Sequence, residues 1–177
     1  MSYIQNYPLL PPLGKIARHD QLPNGAEQIG KLCRGSTEYD PCYFFIKRKD
    51  KLSILIAHIM DLTTGDVYVC HQKDFPLKIL SWFPKALEAF RKSPAEGGLH
   101  AGAMISKDED VDGEMLAVGS TTRGYSITNW SRHAKGMDAN PQFYRPTDLS
   151  LDHELLYDEG LLALWKSLGE KYERGEL

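Results

Sequence analysis

The sequence predicts an α+β fold in the order strand-strand-strand-helix, strand-strand-strand-helix. Three observations support this prediction. Residues 42–72 hold three apolar runs separated by turn residues, apolar residues at helical spacing follow each of two strand groups, and no apolar run reaches the roughly twenty residues of a membrane span. We expect the helices to pack on one antiparallel sheet or on a pair of sheets.

A single α+β domain is predicted over residues 41–177, preceded by an extended or irregular N-terminal segment over residues 1–40. The chain has 177 residues, which is enough for one domain with a core. The N-terminal segment is rich in proline and glycine, and the Pro11-Pro12 pair favours extended geometry. One short helix, at residues 27–34, is compatible with this segment.

The first strand group contains the most apolar part of the chain. In residues 52–60 both alternating sets of side chains are largely apolar, which predicts a central strand covered on both faces. Residues 67–72 return after a short turn as its hairpin partner. The strand before both begins at Cys42 and ends in the basic turn 47–51, which carries four bases and one acid.

A helix is predicted after the first strand group. Asp74 can cap its N-terminus, and apolar residues follow at spacings of three and four. These residues are Leu77, Leu80, Phe83, Leu87 and Phe90. A proline inside a helix removes one hydrogen bond, so Pro84 predicts either a kinked helix or a turn followed by a helix over about residues 83–92.

Three more strands are expected at residues 99–106, 114–121 and 123–130. Residues 131–150 then form a long irregular segment, which is typical of a functional or mobile loop. A second helix is predicted over about residues 152–172, and Gly160 is a candidate break within it.

Composition places the chain among ordinary globular proteins. Hydrophobic residues make up 42% and charged residues 25% of the sequence, which argues against global disorder. The N-terminal residues lack the basic start and apolar run of a signal peptide. We therefore expect a soluble cytoplasmic protein without a membrane partner.

The three cysteines, Cys33, Cys42 and Cys70, fit a reducing compartment. Cys33 and Cys42 could pair if the chain folds back between them. An odd number of cysteines without a dense framework favours reduced thiols that act as small buried apolar groups.

The net charge of −3 is unevenly distributed along the chain. Residues 148–177 carry eight acids and three bases, a net charge of −5, which leaves +2 for residues 1–147. The mildly basic body is compatible with an anionic partner, and the acidic C-terminal helix with a protein partner. A solvated amphipathic helix explains the acidic segment equally well.

No segment carries a complete catalytic or metal-binding signature. Asp108, Asp110, Asp112 and Gly113 match the first half of a calcium loop, but Gly119 stands where the loop needs a glutamate, so a solvated acidic hairpin is favoured. The histidines and cysteines lack metal-ligand spacing, and no nucleophile or phosphate-loop motif is present.

We therefore predict no metal, no cofactor and no enzymatic activity. An enzyme would need a pocket that gathers His100, His133 and acidic side chains.

The strongest functional signal is a set of basic residues interleaved with aromatic residues. Cations can follow a phosphate backbone while aromatic faces stack on bases, which is how single-strand binders work. The candidate nucleic-acid-binding residues are Tyr43, Lys47, Arg48, Lys49, Lys51, Arg123, Tyr125, Trp130, Arg132, Lys135 and Arg145. The alternative is that Tyr125 and Trp130 are core or sheet residues and that the charges are ordinary surface.

The order of elements resembles that of the PC4, Whirly and Pur-type single-stranded nucleic-acid-binding folds. The resemblance covers residues 42–172 and is closest over CYFFIKRK, LSILIAHIMD, DVYVCHQK and FPLKILSWFPKALEAFRK. It implies curved sheets that present stacking residues and helices that back or join them.

We therefore predict a non-enzymatic protein that binds single-stranded nucleic acid, either DNA or RNA. The second hypothesis is a protein-interaction, regulatory or inhibitory module that uses the acidic C-terminal helix. Assembly into a homo-oligomer is compatible with both.

Overall fold

Two four-stranded antiparallel sheets and two helices make up the computed structural model, which describes residues 9–134 and 144–177. In each sheet every strand pairs with the next one along the chain. The first sheet contains β1 (Ala26–Cys33), β2 (Cys42–Arg48), β3 (Lys51–Leu62) and β4 (Gly65–Pro76). The second contains β5 (Glu109–Val111), β6 (Glu114–Ser120), β7 (Gly124–His133) and β8 (Pro146–Asp152).

The two helices each follow one of the sheets. Helix α1 (Ile79–Arg91) comes after β4, and a 3₁₀ turn follows it at Pro94–Glu96. A π-helical turn (Glu154–Asp158) joins β8 to helix α2 (Leu161–Glu173). Within residues 9–134 and 144–177, no helix has the length and apolar character that would let it cross a membrane.

The α+β class and the antiparallel pairing are confirmed, but the predicted order of three strands and a helix in each half is not. Each half has four strands. Residues 27–33 lie in β1 instead of a helix, because they pair with β2, and Arg34 follows the strand. β1 therefore lies within the segment expected to be extended or irregular.

The second sheet also differs in its strands. β8 lies in the segment expected to be irregular, where Thr147, Leu149 and Leu151 alternate inward with more exposed neighbours. Of the strand expected at residues 99–106, the structure keeps a single bridge from Ile105 to Gly119. The acidic loop after it forms the short hairpin of β5 and β6.

The main core lies between the sheets and both helices. β3 contributes Leu52 and Ile54, and α1 contributes Phe83. Trp165 of α2 packs edge-on against Phe45 with ring centroids 5.2 Å apart. Burial of these side chains from water is the principal force that holds the two halves together.

Residues 9–22 cover the opposite face of the first sheet. Ile16 is 2% exposed and packs with Phe44, Ile46 and Leu55 in a second core. Residues 52–57 of β3 are therefore covered on both faces, as the apolar alternation predicts, whereas Met60 near the end of the strand is 41% exposed.

Helix α1 is a single helix that contains Pro84. It begins after Lys78, so Asp74 is not its cap. Asp74 instead lies within β4 as a buried side chain that accepts hydrogen bonds from Ser53 (2.7 Å) and Gln72 (2.7 Å). Gly160, at a φ of 90°, separates the π-helical turn from α2, so the predicted break at this residue is confirmed.

Cys33 and Cys42 form a disulfide, which contradicts the expectation of reduced thiols. The two residues are direct cross-strand partners at the ends of β1 and β2, and this register brings their side chains together. Cys70 is a free cysteine, and burial raises the pKa of its thiol.

Candidate nucleic-acid interface

Two of the predicted nucleic-acid-binding residues, Lys51 and Arg132, belong to a buried polar network. Glu114 is fully buried and accepts hydrogen bonds from Asn129 (2.9 Å), Lys51 (3.1 Å) and Arg132. Arg132 also donates to the carbonyl of Pro11 (2.9 Å), which ties the N-terminal segment to the second sheet. Buried charges need such partners, so this network is part of the fold.

Two of the predicted residues have almost no accessible surface. Arg132 is 4% exposed and forms an ion pair with Glu114. Tyr43 is 7% exposed and faces the main core, where burial raises the pKa of its hydroxyl. Neither side chain can reach a nucleic acid in this structure.

The basic turn between β2 and β3 is only partly free. Lys51 is engaged by Glu114, and Arg48 donates to the carbonyl of Gly14 (2.6 Å). Lys47 is half-buried, while Lys49 is exposed in the turn at a φ of 58°.

The remaining predicted residues near the C-terminal end of β7 do not form a group. Trp130 is half-buried, and its carbonyl accepts a hydrogen bond from the Tyr144 hydroxyl. Arg145 is exposed just before β8. Lys135 lies outside the described residues.

Arg123 and Tyr125 lie at the opposite end of the second sheet. β6 runs from Glu114 to Ser120, and Ser120 pairs with Tyr125. The turn that carries Arg123 is therefore one strand length away from Glu114. The predicted residues consequently do not converge on one patch.

Tyr125 belongs to a cluster of four rings. We define this aromatic cluster as Phe90, Tyr125, His153 and Tyr157. Tyr125 contacts Phe90 and His153 edge-on, with ring centroids 6.1 Å and 5.2 Å away. His153 lies nearly parallel to Tyr157, with centroids 6.2 Å apart. The rings thus form one continuous series from α1 across β7 to the π-helical turn.

Two arginines lie beside the aromatic cluster. The Arg91 guanidinium lies over the ring of Tyr157, 5.2 Å from its centroid. The carbonyl of Arg123 accepts a hydrogen bond from the His153 backbone amide (2.9 Å), and its side chain is exposed. Tyr157 is 40% exposed, and burial of the remainder raises the pKa of its hydroxyl, which stays protonated at neutral pH.

Arg34 binds the two carboxylates that bracket the π-helical turn. Its Nη1 and Nη2 donate to Asp152 at 2.7 Å and 3.1 Å, and its Nε and Nη2 donate to Glu159 at 2.8 Å and 3.1 Å. The planar guanidinium suits this fork geometry, which a lysine cannot reproduce.

The contacts of Arg34 also fix the charges near the aromatic cluster. Hydrogen bonds to Glu159, opposed by burial, leave the pKa of Arg34 raised. Burial alone would raise the pKa of Asp152, but hydrogen bonds from Arg34 and from the Leu155 amide (2.7 Å) leave it lowered. The single positive charge of Arg34 offsets one of these two negative charges, which reduces but does not remove the repulsion of a phosphate nearby.

The π-helical turn places His153 and Tyr157 on the same side of the chain. Glu159 donates its backbone N–H to the carbonyl of Glu154 (2.9 Å), the five-residue spacing of a π-helix. Asp152 caps the preceding turn by accepting from Leu155. Turns of this kind are frequent at functional sites.

Sequence reasoning identified Arg123 and Tyr125 but missed most of the aromatic cluster. His153 and Tyr157 lie in the first part of the predicted second helix, and Phe90 is predicted on the apolar face of α1. The four-residue spacing of His153 and Tyr157 was the available signal, since residues at that spacing share a helix face.

A second aromatic and cationic site lies on the outer face of the first sheet. His19 stacks on Phe44 with ring centroids 4.2 Å apart, and the Arg18 guanidinium lies over Tyr68 at 4.3 Å. The adjoining cavity of about 250 Å³ also includes Glu38 and Asp40. Arg18 is paired with Asp20 at 3.0 Å, so the cations here are balanced by carboxylates and attract a phosphate less strongly.

The histidines considered for an enzyme lie in different settings. His100 is exposed in the segment before β5, whereas His133 packs against Tyr144 with ring centroids 5.2 Å apart. Across residues 9–134 and 144–177, no group of three histidine, cysteine or acidic side chains is placed to hold a metal ion.

Comparison of the chain with protein-family models, with curated proteins and with solved structures found no match.

Proposed function

We propose that the chain binds single-stranded nucleic acid through the aromatic cluster and the two arginines beside it, Arg91 and Arg123. The observation that carries the proposal is the continuous series of ring contacts that ends at the exposed Tyr157, with Arg91 over its face. Exposed rings stack on unpaired bases, and neighbouring cations bind the phosphates between them.

Single strands suit this surface better than a duplex does. A base inside a duplex is stacked on both faces, so its rings are not available to Tyr157 or His153. Stacking depends little on base identity, because every base has a π-face. The proposal therefore predicts weak sequence preference. Because Arg91 and Arg123 attract phosphates, it also predicts that the affinity for nucleic acid depends on salt concentration.

The alternative hypothesis, a protein-interaction module that uses the acidic C-terminal helix, gains less support. Five of the eight acids in residues 148–177 have ion-pair partners within the chain. They are Asp148 with Lys73, Asp152 and Glu159 with Arg34, Glu173 with Lys85, and Glu176 with Arg174. A partner would have to compete for these carboxylates.

Fluorescence anisotropy of a labelled dT oligonucleotide tests the proposal. We expect binding at low salt, and we expect Tyr157→Ala to weaken it by about 1–3 kcal/mol, the loss of one stacked base. Tyr39→Ala is the matched control, because Tyr39 is 46% exposed but donates to Asp66 in the β3–β4 hairpin, away from the aromatic cluster. No binding at low salt refutes the function, and equal losses from both substitutions refute the site.

Several broader predictions stay open to experiment. The resemblance to the PC4, Whirly and Pur-type folds stays a prediction, and no solved structure matches the chain. A cytoplasmic location deserves testing by cell fractionation, because disulfides such as Cys33–Cys42 persist mainly in oxidising compartments. Sedimentation of the purified chain would test assembly into a homo-oligomer.

A further inference from the structure

Arg34 connects the disulfide to the aromatic cluster. It follows Cys33 directly, and its backbone amide donates to the carbonyl of Pro41 (3.0 Å) across the loop that the disulfide closes. Its side chain then reaches Asp152 and Glu159, which are 118 and 125 residues away in sequence. No other described cation makes a salt bridge to either of these carboxylates.

Asp152 and Glu159 flank the segment that carries the exposed rings of His153 and Tyr157. Asp152 immediately precedes His153, and Glu159 ends the π-helical turn one residue before the left-handed Gly160. One guanidinium thus holds both ends of the segment that contains His153 and Tyr157. Moving Arg34 changes the distance between those ends.

We propose that Arg34 positions the aromatic cluster, and that the Cys33–Cys42 disulfide holds Arg34 in place, so that a dithiol that reduces this disulfide weakens nucleic-acid binding. The inference rests on the proposed function and names the regulation of the same site. Arg34 touches no ligand itself, so it is a positioning residue.

Reduction releases the loop between the two cysteines. A thiolate of the dithiol attacks one sulfur of the disulfide and forms a mixed disulfide with it. The second thiol of the reductant then attacks this mixed disulfide and releases the protein cysteine. The protein gains two electrons and two protons as the Cys33 and Cys42 thiols, and the reductant becomes a disulfide. Residues 34–41 lose the covalent closure of their loop, so that only the β1–β2 pairing and the hydrogen bond between Arg34 and Pro41 hold its ends together.

The test separates geometry from charge by using two substitutions at one position. Arg34→Lys keeps the positive charge but cannot form forked bonds to both carboxylates, whereas Arg34→Gln removes the charge as well. Arg18→Gln is the matched control, since Arg18 forms its ion pair with the exposed Asp20 on the first sheet. Redox measurements use a Cys70→Ser background, so that the disulfide is the one reactive pair.

The first readout is the NMR spectrum of the His153 ring protons in the free protein, assigned with His153→Gln. Neighbouring aromatic rings shift these signals, so they report the positions of Tyr125 and Tyr157. We expect them to move in Arg34→Lys, in Arg34→Gln and after reduction with dithiothreitol, but not in Arg18→Gln. Unchanged signals in both Arg34 variants and in the reduced protein overturn the inference.

The second readout is affinity for the labelled dT oligonucleotide. We expect a loss of about fivefold or more in both Arg34 variants and in the reduced protein, the usual size of coupling between sites. If Arg34→Lys binds the oligonucleotide with wild-type affinity, the positive charge at residue 34 is sufficient, and the positioning role of Arg34 is overturned. If Arg34→Gln fails to fold, Arg34→Lys and the reduced wild-type chain decide the outcome.

The two readouts distinguish failure of this inference from failure of the proposed function. If no form of the protein binds the oligonucleotide, the function is refuted and the regulatory claim falls with it, while the NMR signals still show whether Arg34 positions the cluster. If the wild-type protein binds and reduction changes neither readout, the function stands and the disulfide control is wrong.

Discussion

Gly169 of α2 lies against the backbone carbonyl of Leu80 in α1. A Cβ atom added at Gly169 would lie 3.1 Å from the carbonyl carbon of Leu80 and closer still to its oxygen. This carbonyl would accept a hydrogen bond from residue 84 in a regular helix, but Pro84 has no N–H. Gly169 therefore packs against a carbonyl group of α1 that lacks its usual hydrogen-bond donor.

We expect Gly169→Ala to destabilise the protein. Helix propensity alone favours alanine by about 1 kcal/mol, but the new methyl group meets backbone that cannot move away without separating the helices. Overpacking of this kind costs about 1–3 kcal/mol and occasionally more. Urea denaturation measures the change. Gly30→Ala is the control, because its Cβ would meet side-chain ends of Leu168 and Leu164 and no backbone atom; an equal loss in both variants would contradict this account.

The buried charge of Glu114 should be essential for folding. Glu114→Gln leaves Arg132 without its counter-charge in the interior, and breaking a buried pair in this way costs about 3–5 kcal/mol. Denaturant unfolding measures the loss. Glu173→Gln removes an exposed ion pair with Lys85 and should change stability little, so a similar effect from both substitutions would be evidence against the network.

Salt dependence should locate the phosphate contacts. We expect Arg91→Gln and Arg123→Gln each to lower the slope of log affinity against log salt concentration by about one unit, because each removes one phosphate contact. Lys49→Gln removes the same charge from the β2–β3 turn, away from the aromatic cluster, and should leave the slope unchanged. A lower slope for Lys49→Gln alone would move the interface to the β2–β3 turn.

The ion pairs of Arg34 should make stability sensitive to acid. The pKa of Asp152 is lowered in the folded state from its ordinary value of 3.8, so its contribution is fully present above about pH 4. The contribution is lost as the pH falls through the lower, folded-state pKa. The difference in unfolding free energy between wild type and Arg34→Gln should therefore shrink below about pH 4. Asp152→Asn should remove this pH dependence; a wild-type pH profile in that variant would exclude Asp152 as its source.

The sequence was most informative where local pattern determines structure. The apolar alternation of β3 predicted its coverage on both faces, and Gly160 marked the break before α2. β1 and β8 were missed because they are edge strands that lie near proline or glycine, so tertiary pairing decides their conformation. The local signals were correct for central elements and weak for edges.

The candidate site depends on contacts that no local pattern encodes. The basic turn predicted Lys51 as a ligand contact, but Lys51 pairs with Glu114, 63 residues later. Arg34 finds its carboxylates more than a hundred residues away. Only Arg123 and Tyr125 were recognised, because they are close together in sequence.

The N-terminal segment sets an order of events during synthesis. The Leu10 amide hydrogen-bonds to the carbonyl of Ser131 (2.9 Å), and the carbonyl of Pro11 accepts from Arg132, 121 residues later. Leu10 and Pro11 therefore leave the ribosome long before Ser131 and Arg132, and they are among the last residues to reach their final place. Pulse-labelled hydrogen exchange during refolding should show protection of the Leu10 amide after that of β3, and simultaneous protection would argue against this order.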